Sequence, residues 1–323
     1  MISTQPLRIK KLMKRLLTIF LAGSASVHAD LKFEKSEGSM KITDGGQLIT
    51  EYRTDWKVPY LYPLLSPSGA NLTRHWPTKE GVAEEATDHP HHRSVWMGHG
   101  AVNGADFWAM KGEGNPTIIH KGFGAETKAT ADSVTFTADL EWQANSKKLL
   151  EEKRTITVRK INSTTSALEF ICALTAAEDV TFGDTKEGMF AFRMDRTLRL
   201  KGKQAKSHII DSNGVTDADT WGKRADWVAY HGPDEKGEPV VAALFDHPKN
   251  FRYPTYWHVR DYGLVSANPF GIHDFEGKKD QPTLGDHSLK KGESMTFRYS
   301  IVVHHGDLKS ADLGKLWESF SKN

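Results

Sequence analysis

The 323-residue chain has one cysteine, Cys172. A lone thiol cannot close an internal disulfide. Within the apolar run LEFICALTA (168–176) it reads as a small core residue. No apolar run reaches the roughly 18–20 residues that a membrane-crossing helix needs, which excludes a spanning helix. Strand–helix–strand alternation, internal repeats and low-complexity linkers are also missing. So are GxSxG, Walker A and Rossmann glycine signatures, and with them the serine-hydrolase and nucleotide-binding readings those motifs carry. HExxH, paired-cysteine and EF-hand spacings do not occur either.

A strong excess of one charge is absent too. The whole chain has 43 basic and 41 acidic residues. Residues 13–29, MKRLLTIFLAGSASVHA, have two basic residues, an apolar stretch from Leu16 to Ala22 and small residues at Val27 and Ala29. That pattern predicts a secretory signal over 1–29, cut after Ala29, and a periplasmic or secreted protein. The segment takes five basic residues and no acid with it, leaving 38 basic against 41 acidic, a formal −3. Such a balance gives no electrostatic reason to bind nucleic acid or an anionic membrane surface.

What is present is strand after strand. MKITDGGQLITEY (40–52) predicts a hairpin around Asp44, Gly45 and Gly46. SVTFTADLEW (133–142) alternates, with Val134, Phe136, Ala138, Leu140 and Trp142 on one face. SMTFRYSIVV (294–303) alternates through Met295, Phe297, Tyr299, Ile301 and Val303. TITV (155–158), ALEFICAL (167–174), FAFRM (190–194) and PVVAALF (239–245) add further strands. Leu313, Leu316, Trp317 and Phe320 follow helical spacing and predict one amphipathic C-terminal helix. The fold expected is all-β, a large antiparallel β-sandwich forming a single domain over 30–323.

Chemistry concentrates in four loop-like stretches. DHPHHRSVWMGHG (88–100) holds His89, His91, His92 and His99, four of the fifteen histidines, with Arg93 and Trp96 among them. FGDTKEGMFAFRM (182–194) supplies Asp184, Lys186, Glu187 and Arg193. TWGKRADWVAYHG (220–232) supplies Lys223, Arg224 and Asp226. The stretch 245–275 supplies His247, Trp257, His258, Arg260, Asp261, His273 and Asp274. A metal site built on His89 and His91 needs a further ligand from elsewhere, such as His258, and would suit zinc or copper. Acid–base chemistry asks for less, since a histidine near neutrality both takes and gives a proton. Any single histidine is as readily a hydrogen-bonded core residue.

Several long motifs resemble one family. They are YPLLSPSGANLTRHWP (62–77), DHPHHRS (88–94), FGDTKEGMFAFR (182–193), WGKRADWV (221–228), HPKNFRYPTYWHVRDYGL (247–264) and ANPFG (267–271). The family is a group of exported bacterial proteins of unknown function often labelled "methane oxygenase PmoA". The resemblance runs from about Tyr60 to His305. A membrane methane monooxygenase subunit has several spanning helices and this chain has none after the leader, so the oxygenase label is set aside. The strand-rich pattern is also similar to galactose-mutarotase-like supersandwiches, a fold that hosts epimerases, lyases and sugar-processing domains.

Together these readings predict an exported carbohydrate-active protein, an enzyme of the epimerase, lyase or hydrolase type. His91 or His92 would act as acid or base with Glu187 as partner. Arg93, Asp184, Lys186, Arg193, His258 and Arg260 would bind the sugar, and Trp96 and Trp257 would stack on it. No cofactor is required by this chemistry. The alternatives are a metal enzyme using His89, His91 and His258, and a non-catalytic sugar-binding module.

Overall fold

The computed structural model describes Met1 and residues 30–323; the expected leader falls outside the described residues, apart from Met1. Two antiparallel sheets form a sandwich. The first has eight strands in the spatial order Leu31–Lys35, Ser39–Asp44, Gln47–Arg53, Tyr60–Leu64, Val95–His99, Gly188–Arg193, Leu264–Asn268 and Tyr256–Val259. The second runs His208–Asp211, Trp227–Pro233, Pro239–Asp246, Ser294–His305, Thr165–Ala176, Lys147–Lys160, Ser133–Ala144 and Thr117–Phe123, with the short Lys128–Ala129 strand also on Ser133–Ala144. A separate ribbon pairs Val180–Phe182 with His287–Leu289.

Alternation builds the core. The five residues expected to face inward from 133–142, and the five from 294–303, are all buried in one apolar cluster between the sheets. Phe190 of the first sheet joins the layers, with its ring 4.6 Å from Phe170 and 4.9 Å from Tyr299 of the second. The 39–44/47–53 hairpin turns at Gly45 and Gly46, with φ of 58° and 86°, backbone that glycine adopts without strain. The C-terminal helix, Leu313–Ser321, lies on the outer face of the second sheet, with Leu313, Leu316, Trp317 and Phe320 against Phe245 and Val302. Cys172 is fully buried, and burial pushes its thiol far above the usual range, away from reactivity.

One polar pair breaks the pattern. Glu152 and Arg154 point into the sandwich, 2.6 Å apart, and Trp142 Nε1 donates to Glu152 at 2.8 Å. Full pairing offsets the desolvation of both charges.

Four adjacent strands of the first sheet, 95–99, 188–193, 264–268 and 256–259, are buried on both faces. Met97, Phe190, Phe192, Val265, Ala267, Trp257 and Val259 face the sandwich core. Their neighbours face the other way. Cross-strand pairing sets Trp96 beside Ala191, Ala191 beside Ser266, and Ser266 beside His258. This row, small at its centre, underlies the outer layer that carries the candidate site.

Trp257 therefore belongs to the core, not to a ligand surface. It is fully buried, and its Nε1 donates to the Ala225 carbonyl at 3.0 Å. Trp257→Ala should cost about 3–5 kcal/mol, the range for deleting a large buried aromatic. Urea unfolding of the variant beside the parent protein measures it, and a loss below about 1 kcal/mol would place Trp257 outside the core.

Candidate functional site

Above that outer face lies a cleft of about 540 Å³. Four segments build its walls: His89 and His91; Asp106, Trp108, Ala109 and Lys111; Lys186 and Glu187; His258, Arg260 and Tyr262. The 106–111 segment can lie this close because Gly98 has no side chain; a Cβ there would overlap the Phe107 carbonyl. Asp106 Oδ1 accepts the Trp108 and Ala109 backbone N–H groups at 2.9 and 2.8 Å, which shapes the turn that presents Trp108 and Lys111.

Asp88 organises the histidine wall. Its Oδ1 accepts from Arg74 Nη1 at 2.9 Å and from Arg193 Nη2 at 3.0 Å, while Oδ2 lies 2.6 Å from His89 Nδ1. Burial would raise this carboxyl, but Arg193, His89 and Arg74 outweigh it and hold Asp88 below the ordinary carboxylate range. Arg74 also donates to the carbonyls of Asp88 (2.7 Å), His89 (2.8 Å) and His92 (3.0 Å). That clamp fixes His89 at φ 46°, a left-handed conformation that costs a non-glycine residue about 1 kcal/mol or more. With Nδ1 committed to Asp88, His89 keeps Nε2 for the cleft.

Behind His89 the rings stack. Tyr262 lies 5.2 Å from His89, His92 lies 4.8 Å from His89, and Trp96 lies 5.1 Å from His92, with neighbouring planes within 22°. The Arg193 guanidinium sits 4.4 Å from the Tyr262 ring and donates to His92 Nδ1 at 2.9 Å.

The imidazoles differ by environment. Burial first, then neighbouring positive charge, pushes His91 down to about 3, so it is neutral in the cleft. Burial likewise lowers His258 to about 3; its Nδ1 lies 2.9 Å from the Lys186 carbonyl and so carries the proton. Glu187 is half exposed, 3.5 Å from Lys186 Nζ.

Of the residues expected at a site, the cleft unites His89, His91, Lys186, Glu187, His258 and Arg260. Others lie elsewhere. His92 is buried one layer beneath His89 and does not line the cleft, which corrects its expected role as acid or base. Trp96 is buried under Trp108, 5.0 Å between rings, and offers no stacking face. Arg93 turns away to stack on Trp56 at 4.5 Å and Tyr60 at 5.6 Å. Arg193 is fully buried and touches Asp88 and His92.

Asp184 is an internal anchor. Its Oδ2 accepts the backbone N–H groups of His273 at 2.9 Å and Gly285 at 2.6 Å, and its Oδ1 lies 2.8 Å from His273 Nδ1. The 220–232 stretch serves the 252–256 turn, where Arg224 Nε donates to the Pro254 carbonyl at 2.8 Å. Among the described residues, no three His, Cys, Asp or Glu side chains converge to hold a metal ion. His89, His91 and His258 share a cleft but do not form the ligand set expected of them. Arg74, Asp88, Asp106, Lys111 and Tyr262 join the site without a motif that marks them, although Asp88 heads the histidine stretch.

One family model matches residues 39–318. The chain belongs to DUF6807, a family of unknown function. The description of DUF6807 carries no activity, and the oxygenase label has no counterpart in it. No curated protein matches this DUF6807 chain. Among solved structures it is similar to a GalM/aldose epimerase homologue from C. elegans, at 10% identity and TM-score 0.33, covering 86% of this chain and 100% of that one. A galactose mutarotase related enzyme from Lactobacillus acidophilus gives 12% identity and TM-score 0.27, covering 86% and 98%. A protein described as a kojibiose phosphorylase from the human microbiome gives 9% identity and TM-score 0.37, and the DUF6807 chain spans 37% of its length. The activities in those names stay with those proteins. No helix among the described residues is long and apolar enough to cross a membrane.

The neutral buried histidines set a pH response. Unfolded, each binds a proton near pH 6.5; folded, His91 and His258 resist to about 3 and fully buried His99 to about 4. The unfolded state therefore takes up more protons across that window. Their contribution is complete above pH 6.5 and falls as pH drops toward 4. Asp246, raised by burial to about 7, acts in the opposite sense, its contribution present in acid and lost as pH rises through 7. Histidines outnumber it, so urea midpoints should fall between pH 7 and pH 4.5, and a constant or rising midpoint would mean these rings are protonated when folded.

Proposed function

We propose that this is an exported carbohydrate-active enzyme that moves protons on a sugar held between His89 and Glu187. The observation that carries this reading is the Asp88–His89 pair opening on the same cleft as Glu187. An imidazole with one nitrogen tied to a carboxylate and the other free is oriented for proton transfer. A carboxylate on another wall supplies a second acid–base group.

The volume lies within the roughly 300–1,000 Å³ of small-molecule sites. The lining suits a polyhydroxylated ligand: ammonium, guanidinium, imidazole and carboxylate groups for hydroxyls, with Tyr262 as aromatic surface. The left-handed backbone at His89, clamped by buried Arg74, pre-organises the ring toward the cleft. His91 and His258, neutral through the physiological range, would serve as hydrogen-bonding groups. Arg193 and His92 would act through His89, as positioning residues.

The test covers three sugar reactions: hydrolysis of 4-nitrophenyl glycosides, anomer or epimer interconversion of free aldoses by polarimetry, and β-elimination of polyuronates by absorbance of the unsaturated product. One should respond. On that substrate Glu187→Gln and His89→Gln should each reduce turnover by about 100-fold or more with an unchanged thermal midpoint. Full activity in both variants, or no activity across the three reactions, would count against the assignment.

A further inference from the structure

We infer that the sugar taken by this cleft carries a negative substituent, a carboxylate or a sulfate ester, received by Lys111 and Arg260. The inference rests on the carbohydrate reading above and narrows it to a substrate class.

Charge in the cleft is unevenly matched. Three cations line it, Lys111, Lys186 and Arg260, against two carboxylates, Asp106 and Glu187. Asp106 Oδ1 is committed to two backbone N–H groups of its own turn, and Glu187 lies against Lys186. Among the described residues, Lys111 and Arg260 have no carboxylate within 4.0 Å. Behind the histidine wall the imbalance continues, since Arg74 and Arg193 share the single Asp88. These charges lie around a concave surface with buried walls, where low-dielectric surroundings concentrate the field.

The planar fork of Arg260, at the exposed rim, suits two oxygens of one anionic group.

The decisive measurement is calorimetric binding of matched sugars to the full chain. The gluco, galacto and manno series would each be tested as neutral sugar, uronate and 6-sulfate, with acetate and inorganic sulfate as anions alone. At least one anionic sugar should bind about tenfold tighter than its neutral counterpart. The uronate and sulfate arms identify which substituent is used. The advantage should shrink at high salt and disappear in a Lys111→Gln/Arg260→Gln variant, whose exposed positions leave the fold intact. Equal binding of neutral and anionic members would overturn the anionic substituent and leave the sugar reading standing. A preference that survives in the double variant would overturn the role of these two residues. Binding of acetate or sulfate as tight as any sugar, or of no sugar at all, would remove both readings.

Discussion

The Asp88 carboxylate is the point through which the cleft is organised. Two buried guanidiniums, Arg74 and Arg193, converge on one of its oxygens, and His89 takes the other. Neither arginine can be stripped of water without a counter-charge, because an uncompensated buried cation costs several kcal/mol. Asp88 supplies that charge, and satisfying both cations fixes its own position. His89 is then oriented by a group that cannot move without leaving two buried charges unpaired. Arg74 adds the backbone clamp on residues 88–92, so ring and main chain are held by the same guanidinium. Arg193 reaches Asp88 from the sheet itself, at the end of a fully buried strand, which ties the loop to the sandwich.

Much of the sandwich was legible in the sequence because alternation is a direct consequence of strand geometry. The inward sets of 133–142 and 294–303, the Gly45–Gly46 turn and the helical stripe of Leu313, Leu316, Trp317 and Phe320 all appear where their spacing put them. The same rule separates side chains at the site. Trp257 and His258 are adjacent in one strand and so must face opposite sides, Trp257 the core and His258 the cleft. Arg193 was likewise legible as facing away from the core, since Phe190 and Phe192 face into it.

Other features lay beyond local pattern. Nothing nearby in sequence reveals that Arg74, fourteen residues before Asp88, is buried against it. Histidine clustering marks the segment that lines the cleft but not which rings open on it, because separating His89 from His92 requires knowing which ring faces solvent and which lies beneath. The 220–232 stretch shows that charge density alone is a weak guide, since Arg224 braces a turn on backbone carbonyls. Asp184, between Gly183 and Thr185 and two residues before Lys186, has the setting of a ligand-binding carboxylate, yet its oxygens anchor backbone that the apolar core cannot solvate.

The most direct measurement of the central claim is the tautomer of His89, read by NMR of protein carrying ¹⁵N-labelled histidine, with His89→Gln to assign the signal and the pH set so that the ring is neutral. Asp88 as hydrogen-bond acceptor requires the proton on Nδ1, leaving Nε2 as the free nitrogen facing the cleft. A neutral His89 with its proton on Nδ1, shifting to a mixture of tautomers in Asp88→Asn, is the expected result. A proton on Nε2 in the parent protein, or a spectrum indifferent to Asp88→Asn, would contradict the claim that this carboxylate orients the site.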